Sequence, residues 1–295
     1  PVHDAVVEGG GVQLRTDSAG RALFHPYAAG RQQNARWTLT ARKQGASSSA
    51  VAELGQPNNL RLVLPVARLA AAPKLDLLFL IDTTGSMADE IERLRGTMDV
   101  IVKDIARSTA DPKAVPDIRY GLVHYRDRGD EYVVRSHDFT LSLRTFRQDL
   151  ACLRAAGGGD YPESLNAALN AAVHKMAWRG EDAVRMVILI ADAPPHLDYR
   201  DEPFDYAQDM VHAAVRGIKL FPIGASGLNA QGEYIFRQMA QFTGGKFVFL
   251  TYADRNRPGA ASGVETSHDV KDYSVDNLDR LVVRLVTEEL RPLRD

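Results

Sequence analysis

The sequence predicts an α/β protein with a doubly wound, mostly parallel sheet, preceded by a small all-β sandwich domain. Continuous apolar runs at 75–81 and 184–191 read as strands buried on both faces. From residue 75 onward, such runs alternate with segments whose apolar residues recur at three/four spacing, the pattern of strand–helix–strand crossovers. Residues 1–66 differ: they hold short stretches rich in strand formers, broken by turn residues, with no helical period.

Taken in order, Val12–Arg15, Ala22–Phe24, Trp37–Ala41 and Leu60–Leu64 are the expected strands of the first domain. Thr16-Asp17-Ser18-Ala19-Gly20-Arg21 is a turn between two of them, and Gly45–Ser49 reads as a flexible polar loop. Ala67–Pro73 reads as a linker, so the expected boundaries are 1–66, 67–73 and 74–295. A chain that begins at Pro1, close to a strand, reads as a segment of a longer protein.

In the second domain, Met87, Ile91, Leu94, Met98, Ile101 and Ile105 make one apolar face of a helix after the first strand. A strand is expected at 118–125 and an antiparallel edge strand at 132–140. Helices are expected at 143–154, 162–177, 205–216, 230–242 and 276–292, with strands at 220–224 and 247–251. Leu278, Leu281, Val282, Leu285 and Val286 line the core side of the last helix. Asp254–His268 reads as a mobile loop.

Chemistry gathers where strands end. Leu75–Ile81 runs straight into Asp82-Thr83-Thr84-Gly85-Ser86, which delivers the oxygens of Asp82, Thr84 and Ser86 beyond the strand's carboxyl end. Open parallel sheets bind ligands there. A carboxylate and two hydroxyls are hard donors that suit Mg²⁺, or another hard divalent ion such as Mn²⁺ or Ca²⁺. The second buried strand ends on Asp192. Between the two lies Gly157-Gly158-Gly159-Asp160-Tyr161-Pro162-Glu163-Ser164, where glycines permit close backbone approach and Pro162 suits a first helical turn. Asp160 reads either as an N-cap or as a metal ligand; Asp82 and Asp192 on strand ends tip the balance toward the ligand.

Asp82-x-Thr84-x-Ser86, then Asp160, then Asp192, resembles the metal-ion-dependent adhesion site of von Willebrand factor A domains, and the resemblance covers about residues 75–293. Thr84 stands where that family has a first Ser, and Asp160 where it more often has Thr. The Gly-Gly-Gly-Asp-x-Pro-Glu form is similar to a bacterial and hemicentin-like branch. The resemblance implies a protein-binding, adhesion-type module rather than an enzyme. It implies a cation held by Asp82, Thr84, Ser86, Asp160 and Asp192, and a protein partner that completes the coordination through an acidic residue. It also implies a secreted, periplasmic or cell-surface setting, and a last helix that moves with the ligand. The Thr-Asp-x-x-Gly-Arg turn resembles carboxypeptidase-regulatory or transthyretin-like modules.

Alternative chemistries fit less well. A haloacid-dehalogenase-like phosphatase also uses an Asp at a strand end with Mg²⁺, but needs a second Asp where Thr84 stands. The glycine loop lacks the Gly-Lys-Ser/Thr ending of a P-loop, no Gly-x-Gly-x-x-Gly follows the first strand, and Ser86 lacks a nucleophile elbow. A scaffold with an empty or purely structural site is the remaining alternative. A formal charge of −2 and a pI near 6.5 give no global pull toward nucleic acid or anionic membrane, and no apolar run reaches a membrane span of about 20 residues. Cys152 is the single cysteine, so no internal disulfide forms, and it reads as a buried thiol on helix 143–154. His124 reads as a satisfied core or face residue; His196 lines the site's rim or belongs to an ordinary loop. Asp127 reads as a surface charge or as the acceptor for a metal-bound water. Arg128-Gly129-Asp130 spells an integrin-recognised tripeptide but falls in a charged loop.

Overall fold

The structure is a computed structural model that describes residues 1–26, 35–56, 59–66, 72–107, 115–225, 227–250 and 278–294. The larger unit is built on a six-stranded sheet. Its strands are β5 (Lys74–Asp82), β6 (Asp117–Tyr125), β7 (Val134–Thr140), β8 (Ala183–Ala191), β9 (Ile218–Gly224) and β10 (Val248–Phe249). They lie in the order β10-β9-β8-β5-β6-β7, all neighbours parallel except the antiparallel edge pair β6–β7.

β5 is the middle of this sheet, and its side chains divide by parity. Leu75, Leu77, Phe79 and Ile81 face one core, Leu78 and Leu80 the other. The first core is closed by α1 (Ala88–Arg107), α2 (Leu143–Cys152) and α6 (Leu278–Arg294). The expected stripe of α1, Met87 to Ile105, is buried there, as are the α6 residues Leu278, Leu281, Val282, Leu285 and Val286. The second core is closed by α3 (Leu165–Asn170), α4 (Tyr206–Val215) and α5 (Ala230–Thr243). Each fully buried Leu, Ile or Phe contributes about 1.5–3 kcal/mol, so the paired cores hold the sheet flat against both helical layers.

Helix starts follow local chemistry. Ser142, Asp205 and Asn229 each accept a hydrogen bond from an orphan N–H of α2, α4 and α5, at 3.1, 2.8 and 2.8 Å. The helix expected at 162–177 instead begins at Leu165 and ends in a π-turn, Ala171–Lys175. Its first residues stay out of the helix, where Glu163 is tied sideways: its N–H donates to the Pro194 carbonyl at 3.0 Å, and it bridges Pro195. Cys152 is exposed rather than buried, since α2 turns Phe146 and Leu150 inward and ends on the cysteine.

The N-terminal unit is one antiparallel sheet in the order β2-β1-β3-β4, from β1 (Val6–Gly9), β2 (Val12–Arg15), β3 (Arg36–Lys43) and β4 (Ala46–Glu53). Two expected strands, at 22–24 and 60–64, are extended but unladdered; Ala22, Phe24, Leu60, Leu62 and Leu64 cover the apolar face of the sheet. Gly45–Ser49 is not a loop. Gln44 and Gly45, both at positive φ (49° and 80°), make a two-residue hairpin turn, and the serines pair across to β3. The turn after Thr16 forms as expected, with Asp17 Oδ1 accepting from the N–H groups of Ala19 and Arg21. Linker residues 67–71 and the loop Asp254–His268 lie outside the described residues.

The N-terminal sheet meets the larger unit at the amino ends of β8 and β9. The buried Asp4 carboxylate binds Arg185 at 3.1 Å and accepts from the Asp182 N–H at 2.8 Å, while Arg185 also donates to the carbonyls of Arg179 and Gly180. Lys219 bridges Asp17 and Glu289 at 2.8 and 2.7 Å, and His25 stacks on Phe242 at 3.9 Å between centroids.

Candidate metal centre

The chain leaves β5 toward β6 on one side, while β8 lies on the other, so the topological switch point falls between β5 and β8. Asp82 is the last residue of β5, and Asp192 follows the last residue of β8. Both carboxylates are buried at the crevice where such a sheet opens.

The first loop is folded around Asp82. Its Oδ1 accepts from Thr84 N–H at 2.9 Å and from the Thr84 hydroxyl at 2.7 Å, and Ser86 Oγ lies 3.4 Å from Thr84 Oγ1. Backbone bonds lash the glycine loop to this turn: Gly85 N–H donates to the Gly157 carbonyl at 3.1 Å and Ala156 N–H to the Thr83 carbonyl at 3.1 Å. At Gly158, φ is +71°, and a Cβ there would lie 2.7 Å from Glu163 Oε1 and 2.8 Å from Thr84 Cβ. Only glycine lets the loop come this close.

Glu163 is the residue that sequence reasoning missed. It was legible only as the end of the Gly-Gly-Gly-Asp-x-Pro-Glu run, and a helix from 162 would have placed it in an ordinary first turn. The extended backbone instead buries it beside Thr84, within reach of the charges of Asp82 and Asp192. Burial, then the charge of Asp192, pushes Asp82 up to about 7. Burial, then the charges of Asp82, Asp127 and Asp192, pushes Glu163 up to about 9. Asp192 is raised by burial, with the Ser86 hydroxyl working against the rise. Tyr125, the cross-strand neighbour of Asp82, is also buried, and burial lifts its hydroxyl well above the ordinary range.

Asp160 is exposed, and among the described residues its carboxylate is not brought into one group with those of Asp82 and Asp192. It offers a ligand oxygen within 4.8 Å of atoms of Asp127 and His196, both buried. Asp127 is no loose surface charge: it accepts from Ser164 Oγ at 2.7 Å and from the Tyr199 hydroxyl at 3.0 Å. His196 stacks on Tyr199, bonds Asp198 through Nδ1 at 2.8 Å, and holds Nε2 at 3.6 Å from Asp127. His124 is a satisfied core residue, bonded to the Tyr132 hydroxyl at 2.8 Å, and burial lowers it to about 4. In the tripeptide, Arg128 binds Asp201 and Glu202, and Asp130 accepts from the N–H groups of Asp127 and Gly158. Both charged ends are therefore engaged inside the fold.

The donors fit a hard divalent cation. Asp82 Oδ2 and Glu163 Oε2 are buried and accept no hydrogen bond among the described residues. Among the described residues, no basic side chain is one of the largest influences on Asp82, Glu163 and Asp192. Desolvated carboxylates that raise one another are costly without a counter-charge, and a cation with oxygen preference supplies one. A second group, His174, Asp209 and His212, also brings ligand atoms within 4.8 Å of one another, on the helical layer rather than in the basin.

Comparison with known proteins bears on the larger unit. Residues 76–200 match the family model of the von Willebrand factor A domain. Alpha-protein kinase vwkA of Dictyostelium discoideum is 33% identical over 143 residues, covering 48% of this chain and 22% of that protein. Von Willebrand factor A domain-containing protein 7 of Homo sapiens is 32% identical over 164 residues, covering 56% of this chain and 16% of the relative. The putative ariadne-like RING finger protein R811 of Acanthamoeba polyphaga mimivirus is 28% identical over 195 residues, covering 60% and 18%. The chain thus spans 22% or less of the length of each.

Proposed function

We propose that this chain, whose residues 76–200 match the family model of the von Willebrand factor A domain, is a non-catalytic protein-binding module that works through a divalent cation, Mg²⁺ or a similar hard ion. The observation that carries the reading is the pair of buried carboxylates, Asp82 and Asp192, at the ends of adjacent strands on either side of the switch point. Thr84 and Ser86 are direct ligands in this reading, Asp82 binds directly or through water, and Asp160 and Asp192 complete or orient the shell. Glu163 joins them from inside, and Asp127 with His196 orders water on the outer side.

The bound cation supplies positive charge to which an acidic side chain of a partner is drawn. Asp82, Asp160 and Asp192 already outweigh a divalent ion by about one charge, and Glu163 adds to that excess. The site therefore holds its cation tightly but attracts an external carboxylate weakly. Rim contacts carry more of the partner's binding than a single Glu or Asp does. Tyr161 and Leu197, 44% and 56% exposed, stand in the loops around the basin and suit such contacts.

Calorimetric titration with Mg²⁺, on the chain and on Asp82→Asn, tests the cation; capture of partners with Mg²⁺ against EDTA then tests the role. Cation binding lost in Asp82→Asn is the expected result. A chain that binds no Mg²⁺ at millimolar concentration would be a scaffold instead.

A further inference from the structure

We propose that His174, Asp209 and His212 form a second metal site, taking Zn²⁺ or another borderline divalent ion, on the face where the π-turn after α3 meets α4. None of these residues belongs to the acidic basin, and the inference stands whether or not the basin binds Mg²⁺.

Asp209 is the anchor. It is 3% exposed, an unusual place for a carboxylate on a surface helix. Its Oδ1 accepts from Asn170 Nδ2 at 3.1 Å, meets His174 Nε2 at 2.8 Å, and lies 3.9 Å from His212 Nδ1. Its Oδ2 is buried and accepts no hydrogen bond among the described residues. A carboxylate kept only to pair with one histidine would leave that second oxygen's desolvation uncompensated. The rings meet the carboxylate at Oδ1, and a metal ion seated there and taking both carboxylate oxygens would compensate Oδ2 as well.

The spacing suits such an ion. The two imidazoles meet edge to face, centroids 4.9 Å apart, and all three ligand atoms lie within 4.8 Å of one another. Zinc bonds of about 2.0–2.1 Å at tetrahedral angles space ligand atoms by about 3.3 Å. The observed 2.8 and 3.9 Å, both to Asp209 Oδ1, bracket that spacing, so shifts of about half an ångström bring those two pairs to it. Two imidazole nitrogens select Zn²⁺, Cu²⁺ or Ni²⁺ over Mg²⁺, which separates this site from the acidic basin. Asn170 holds the carboxylate from behind, as outer-shell donors do at such sites. The side chains of His174 and His212 are 36% and 52% exposed, so the fourth position opens to solvent or to a donor from a partner. A bound ion would staple the end of α3 to α4.

The test uses the chain without any histidine tag, in excess Mg²⁺ so that the acidic basin is filled. Zn²⁺ titration by calorimetry should show one further site, unchanged in Asp82→Asn and weakened more than about tenfold in His212→Ala and in His174→Ala. His212 is half exposed on a helix where alanine is well tolerated, so loss of fold does not confuse the result. Electron paramagnetic resonance of bound Cu²⁺ should show two coordinating nitrogens, falling to one in either variant. Zn²⁺ binding that is absent, abolished by Asp82→Asn, or indifferent to His212→Ala would overturn the proposal.

Discussion

Asp160 and Glu163 stand three positions apart and face opposite surroundings, one exposed and one buried. That difference predicts different consequences. Glu163→Gln should weaken Mg²⁺ binding about tenfold or more, because it removes a buried carboxyl that gives up its proton and becomes anionic when the cation binds. Asp160→Thr should weaken it less, since solvent screens an exposed carboxylate. Mg²⁺ titrations of the two variants decide; an Asp160→Thr variant that binds as well as or better than the parent would refute the charge argument. The raised carboxylates also set a pH dependence. Without metal, folded Asp82 and Glu163 hold protons up to about 7 and about 9, whereas the unfolded chain releases them in the ordinary carboxylate range. The unfolded state therefore binds fewer protons, and the fold loses stability as pH rises through those values. Melting temperatures in EDTA should fall from about pH 5 to about pH 9, and the slope should flatten in Mg²⁺; a level profile in EDTA would contradict the buried charges. The placement of Asp82 and Asp192 at strand ends was legible because a buried strand announces itself in sequence. Glu163 was not, because its burial depends on a backbone bond to Pro194, thirty-one positions away, that leaves no local trace.

Among elements, the buried strands and long helices were readable almost to their ends, because burial on two faces and a single apolar stripe each write a distinctive period. The loops were harder. The late start of α3 follows from the cross-tie to the loop after β8, and the hairpin at Gln44-Gly45 precedes a serine-rich strand whose composition resembles a loop. The glycine loop makes a sharp prediction. Gly158→Ala would force a Cβ to within 2.7 Å of Glu163 Oε1, at a φ of +71° that alanine resists. We expect a loss of about 1–3 kcal/mol in urea unfolding together with weaker Mg²⁺ binding. An unchanged unfolding midpoint with intact Mg²⁺ affinity would mean that the loop is not held as described.

At the scale of the whole molecule, buried contacts join the two units, and no local pattern announces them: Asp4 and Arg185 are 181 positions apart. Asp4→Ala should cost about 3 kcal/mol or more in denaturant unfolding, because it strands a buried guanidinium. A cost near zero would show that water or the neighbouring carbonyls satisfy Arg185 alone. The anchor at the foot of β8 and the carboxylate at its head lie at opposite poles of one strand. Tension between a captured partner and the N-terminal sheet would therefore run lengthwise through β8. Hydrogen-bonded ladders flank that strand on both sides, to β5 and to β9. They would bear the pull in shear, many bonds at once, and a tether loaded along this line resists rupture better than one peeled open from an edge.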